Sequence, residues 1–207
     1  MIEIELKCEL SPQLLDKVRE KTWGMKFNGT VHNQDIYYDT STWDLLRQAF
    51  FVRVRNNRKV EFKFSEDITQ EHGQVHERVF SLEAYPIQTD KINTLFTSFL
   101  PTWVPAVSFE EAVKKNGLLE LVTIDNTREA YASEDITLSI DHVKGLGSFL
   151  EVETHCEEGA DTSQAQARLQ AFVSNLDVQH IKVGYVELWL YKYNPAAYRA
   201  GRYHLTG

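Results

Sequence analysis

The chain has 207 residues, 43% of them hydrophobic, which is enough to bury a substantial core within one large domain spanning 1–207. Its net charge of −8 argues against a broad nucleic-acid surface, which would be basic, but leaves room for a concentrated basic pocket. No run approaches the ~18 apolar residues that cross a bilayer, and acidic charge follows Met1 directly where a secretory signal would not carry it.

The two cysteines, Cys8 and Cys156, are too few for a disulfide framework and show no zinc spacing, so the expected setting is a reducing cytoplasm without membrane attachment. Residues 2–9 alternate apolar and charged, the period of a strand. SPQLLDKVREKTW then predicts a helix, with Ser11 as N-cap and Pro12 at the first helical position. Residues 31–39 read as extended, and TSTWDLLRQAF as a short helix. FFVRVRNNRKVEFKF places two alternating runs around Asn56-Asn57, a hairpin signal because asparagine tolerates positive φ. A strand follows over about 74–83, and the stretch from Pro86 to Leu118 reads as two helices separated by the LPTWVP loop. Three further alternating runs, LELVTIDNTREAYA, DITLSIDHV and SFLEVETHC, include a KGLG turn. TSQAQARLQAFVSNL and YVELWLYKYN read as helices, and the tail from Pro195 as irregular.

About eight strands in hairpin order, interrupted by helices, make an α+β protein with an antiparallel sheet, and eight strands suffice to close a barrel. The charged faces recur along the chain. VRVR puts Arg53 and Arg55 on one face, VEFKF puts Glu61 with Lys63, and FLEVETH puts Glu151 with Glu153. Glu77, Arg128 and Asp141 each sit within an alternating strand. Two arrangements satisfy this pattern. Either the helices cover the apolar face and the charges line a tunnel, or a packed interior leaves the charges in water. Clustered carboxylates favour a hard divalent cation, and paired arginines favour phosphate oxygens. A metal–polyphosphate ligand would satisfy both.

IEIELK matches the ExExK signature of the CYTH superfamily, the triphosphate tunnel metalloenzymes. It is followed in family order by DIYYDT, RVR, FKF, an HER strand, NTRE, IDHV, GLGSFLEVE and IKVGYVELW, so the resemblance covers nearly the whole chain. The resemblance implies a closed eight-stranded antiparallel barrel with helices packed outside. It further implies that Glu3, Glu5, Asp141, Glu151 and Glu153 hold Mg²⁺, or Mn²⁺, and that Lys7, Arg53, Arg55, Lys63, Arg128 and Lys182 hold a triphosphate beside Glu77. Glu3, Glu5, Lys7 and Glu153 are the expected catalytic residues. One position departs from the family pattern: Asn126 stands where many relatives carry lysine.

Phe51 occupies the position of a tryptophan in vertebrate-type thiamine triphosphatases, which makes it a candidate substrate contact. The implied reaction is Mg²⁺-dependent hydrolysis of a small-molecule triphosphate, thiamine triphosphate first. Inorganic tripolyphosphate hydrolysis and the class IV adenylyl cyclase reaction are the alternatives, in a monomer or homodimer. Glu61 lacks motif support and reads as structural. Asp39 reads as a cap for the following segment, and His142 should face away from Asp141 by parity.

Overall fold

The computed structural model describes residues 2–64, 74–157 and 160–205. The side chain of Ile2, expected on the apolar face of the first strand, and the extreme ends of the expected domain lie outside the described residues. Nine strands form one antiparallel sheet: β1 (Ile2–Glu9), β2 (Lys26–Asp39), β3 (Phe50–Arg55), β4 (Lys59–Phe64), β5 (Gln74–Ser81), β6 (Leu119–Ala132), β7 (Thr137–Val143), β8 (Gly147–Cys156) and β9 (His180–Ile181). Their order is β5-β4-β3-β2-β6-β7-β8-β1-β9. The helices are α1 (Pro12–Lys21), α2 (Asp44–Arg47), α3 (Tyr85–Phe99), α4 (Phe109–Asn116), α5 (Ser163–Val173), α6 (Tyr185–Tyr193) and α7 (Pro195–Ala200).

The expected eight-stranded closed barrel is corrected by this topology. The sheet is antiparallel and strongly curled, but it has nine strands and is not sealed along its length. Among the described residues β5 meets β1 over three residue pairs, Ile2 with His76 through Ile4 with Gln74. Further along, the same edge of β1 is occupied by β9, which pairs Lys7 with Ile181 and Cys8 with His180. An edge has one set of backbone donors and acceptors, so at Lys7 and Cys8 this edge of β1 belongs to β9.

The two arrangements left open by the alternation are distinguished by where the apolar alternates go. Val52, Val54, Val60, Phe62 and Phe64 of β3 and β4 pack under α3 and α4, against Ile92, Phe96 and Trp103. Ile4 and Cys8 of β1, with Leu138, Ile140, Leu150 and Val152 of β7 and β8, pack under α1 and α5, against Val18, Leu169 and Val173. A third cluster sets Leu46, Val186, Leu190 and Ala197 of α2, α6 and α7 against Tyr37, Ile124, Val143 and Phe149. Side-chain period 2 then turns Glu3, Glu5, Lys7, Arg53, Arg55, Lys63, Arg128, Glu151 and Glu153 to the concave side. Among the described residues no helix is long and apolar enough to cross a membrane.

Candidate active site

The concave face encloses a cavity of about 230 Å³. One wall is built by β1 and β8, whose register sets Glu5 opposite Glu153 and Lys7 opposite Glu151. Lys7 Nζ lies 3.3 Å from Glu5 and 3.1 Å from Glu151, and 4.5 Å from the centre of the Tyr185 ring. Burial works against the charge on Lys7, but Glu5 and Glu151 outweigh it and hold the ammonium protonated far above its usual range. Arg128 pairs with Glu151 and donates from Nε to Asp141 at 2.7 Å. Burial also opposes ionisation of Glu151, yet Arg128 and Lys7 keep its carboxyl well below the carboxylate range.

The facing wall comes from β2, β3 and β4. Arg55 grips Asp35 with two bonds of 2.7 Å. Arg53 donates to Glu61 at 2.8 Å and to the Tyr37 hydroxyl at 2.8 Å, and lies 3.2 Å from Asp35. Lys63 of β4 reaches across to Glu3 of β1 at 2.8 Å and joins the walls. Burial would raise the Glu3 acid, but Lys63 holds it below its ordinary value. Glu77 completes this region, 3.8 Å from Lys63.

Glu153 differs from the other lining acids. Among the described residues it has no ion pair, and burial together with the neighbouring Glu3 and Glu151 pushes its acid up to about 7, against the opposing pull of Arg128. This is a place where carboxylate oxygens repel one another, and oxygen-only donors suit a hard divalent cation. The donor set therefore fits Mg²⁺ in kind. As the side chains lie, no three acidic, histidine or cysteine groups among the described residues converge on one point, because Glu3, Glu5 and Glu151 are each drawn to a lysine or arginine.

Eleven of the expected site residues line the cavity together: Glu3, Glu5, Lys7, Phe51, Arg53, Arg55, Lys63, Glu77, Arg128, Glu151 and Glu153. Two do not. Asp141 is fully buried behind Arg128, where it accepts bonds from Arg128 and from the Tyr185 hydroxyl at 2.7 Å, so it orients these two groups. Lys182 is exposed and outside the lining, because its neighbour Val183 takes the buried position between β9 and α6. Asp39 does cap, accepting from the amides of Leu45 at 3.0 Å and Leu46 at 2.9 Å in α2. His142 faces outward to Ser148 Oγ at 2.8 Å.

Asp35, Tyr37, His155, Tyr185 and Glu187 also line the cavity without having been singled out in the sequence; Asn126, noted there only as a departure from the family pattern, lines it too, and so does Glu61, which holds Arg53. The pairing of Asp35 with Arg55 and Tyr37 with Arg53 follows from the β2–β3 register. DIYYDT carried the parity of both residues, but not that register.

The CYTH domain model matches residues 1–183. A Methanocaldococcus jannaschii protein, named as a candidate adenylate cyclase, is 26% identical over 193 residues, covering 91% of this chain and 98% of its own. Protein PH1819 of Pyrococcus horikoshii superposes with a TM-score of 0.67 at 25% identity, over 92% of this chain and 99% of that one. A Hippeastrum candidate adenylyl cyclase, described as having a dominant triphosphatase activity, shares the fold with a TM-score of 0.57 at 18% identity, over 96% of this chain and 95% of that one.

Proposed function

The chain belongs to the CYTH domain family, and from that premise we propose that its cavity is a metal-dependent triphosphatase site, cleaving thiamine triphosphate to thiamine diphosphate and phosphate. The observation that supports this most is the mixed lining itself. Lys7, Arg53, Arg55, Lys63 and Arg128 share one enclosed space with Glu3, Glu5, Glu151 and Glu153. A free anion would not need the carboxylates, and a free cation would not need the lysines and arginines.

In this reading Glu3, Glu5, Glu151 and Glu153 hold Mg²⁺, with Mn²⁺ as a substitute. When bound there, the ion polarises phosphate oxygens and lowers the pKa of water. The remaining work belongs to the chain. Arg53 and Arg55 present forked donors to phosphate oxygens, from positions fixed by Asp35 and Glu61. Lys7, Lys63 and Arg128 neutralise charge that builds on the leaving diphosphate. Among the lining carboxylates, Glu153 has no lysine or arginine partner among the described residues, and it accepts a proton from the attacking water at a carboxylate oxygen. Phe51, Ile124 and Val186 supply the apolar part of the lining for the organic group.

A second reading, conversion of ATP to cyclic AMP and pyrophosphate, draws on the name of the M. jannaschii relative and uses the same groups. One experiment separates the readings: thiamine triphosphate, tripolyphosphate and ATP incubated side by side with Mg²⁺, with Mn²⁺ and with EDTA. Phosphate release fastest from thiamine triphosphate and abolished by EDTA is expected. Cyclic AMP from ATP would replace the hydrolase with a cyclase, and fastest release from tripolyphosphate would make the substrate inorganic. No product from any of the three would reject the enzyme reading.

A further inference from the structure

We infer that Asn126 determines the substrate class of this cavity: it receives the singly charged ester phosphate of an organic triphosphate and disfavours the doubly charged end of inorganic tripolyphosphate. The inference rests on the triphosphatase reading above and narrows it. Asn126 lies on β6 between Ile124 and Arg128, two residues from each and therefore on the same inward face. All three line the cavity. Asn126 is only 5% exposed, and its Oδ1 is enclosed without a hydrogen-bond partner among the described residues.

Asn33 stands directly opposite on β2 but is engaged elsewhere, its Oδ1 accepting from Asn56 at 3.3 Å. An enclosed amide oxygen that meets no partner among the described residues carries the cost of its lost hydration, which marks Asn126 as a side chain the fold alone does not satisfy. The other end of the same amide, Nδ2, is a donor, and from the lining it can donate to a phosphate oxygen.

The surroundings decide which phosphate belongs there. From Arg128 inward the lining changes from guanidinium to neutral amide to aliphatic, with Ile124 packed in one cluster with Val186 at the start of α6. A terminal phosphate, with its second pKa of about 6, is doubly charged above neutrality, whereas an ester phosphate carries one charge and continues into an organic group. Inorganic tripolyphosphate ends in a terminal phosphate on both sides, so either orientation leaves a terminal phosphate, rather than an ester, facing a neutral amide. An ester triphosphate places its doubly charged end among the lysines and arginines, and its organic end toward Ile124, Val186 and Phe51.

The test is calorimetric binding, with Mg²⁺, of the non-hydrolysable imido analogues of ATP and of tripolyphosphate to the full chain and to Asn126→Lys and Asn126→Leu. The native protein is expected to bind the ester analogue at least tenfold more tightly than the inorganic one. Asn126→Lys should shift that ratio at least tenfold toward the inorganic analogue. Asn126→Leu should weaken the ester analogue several-fold while melting no lower than the native chain, and this variant carries the test if the lysine variant does not fold. A native preference for the inorganic analogue, or a ratio that moves less than twofold in every folded variant, overturns the inference while the triphosphatase reading stands. Failure of both analogues to bind the native protein overturns both.

Discussion

Glu153 has the most consequential protonation in the cavity. Its acid is raised by burial and by Glu3 and Glu151 to about 7, so the fold favours the protonated form. The contribution to stability is present below the ordinary carboxylate value and is lost as the pH rises through about 7. Glu153→Gln in EDTA should therefore be more stable than the native chain at pH 8, by ~1–3 kcal/mol, and nearly equal to it at pH 4.5. Denaturant unfolding at the two pH values measures this, and a penalty that is the same at both would remove Glu153 from the role. The same variant should lose phosphate release. Asp35 behaves in the opposite sense, because burial is outweighed by Arg53 and Arg55 and its acid is lowered. Asp35→Ala leaves Arg53 buried without one of its counter-charges and should cost ~3 kcal/mol in unfolding free energy, with a raised KM. At this scale the ExExK and VRVR alternations made their own residues legible, whereas the pairing of Asp35 with Arg55 required a strand register to be seen.

Among the elements, the strands with clean alternation were readable and the irregular ones were not. β2 begins at Lys26 rather than at residue 31, because Gly29 at φ 114° and a bulge between Phe27 and Gly29 break the two-residue period. The Asn56-Asn57 turn has φ of 52° and 53°, as the hairpin reading requires. β9, two residues long, has no periodicity to detect. The tail expected to be irregular forms α7, with Asn194 Oδ1 accepting from the Ala197 amide at 3.2 Å and Pro195 entering the first turn. α6 and α7 matter because they cover one end of the curled sheet through Val186 and Leu190. Leu190 is fully buried, so Leu190→Ala should cost ~2–5 kcal/mol by thermal or denaturant melting. Because Tyr185 on the same helix bonds to Asp141 behind Arg128, the variant should also raise KM. An unchanged KM would separate the covering helices from substrate binding.

For the molecule as a whole, five lysines and arginines and eight carboxylates line the cavity among the described residues, so it is net negative and its cations are already paired. A polyphosphate entering alone must break those pairs against the excess of negative charge, whereas a divalent cation relieves the carboxylates and frees the cations. Tripolyphosphate is thus expected to bind at least tenfold more tightly with Mg²⁺ than in EDTA, as calorimetry would show, and equal affinity in the two conditions would refute the coupling. The sequence by itself determined the antiparallel strands, their charged and apolar faces and the CYTH family, because alternation and ordered motifs are local properties of the chain. Only the tertiary structure decided that the apolar faces of β1, β3, β4, β7 and β8 lie outward under helices and that β9 takes part of the β1 edge. It also decided that Lys182 and Asp141 stand outside the lining, and that Asn126 Oδ1 meets no hydrogen-bond partner among the described residues. These depend on which strand edges and faces come together, and a local period carries no information about its distant partner.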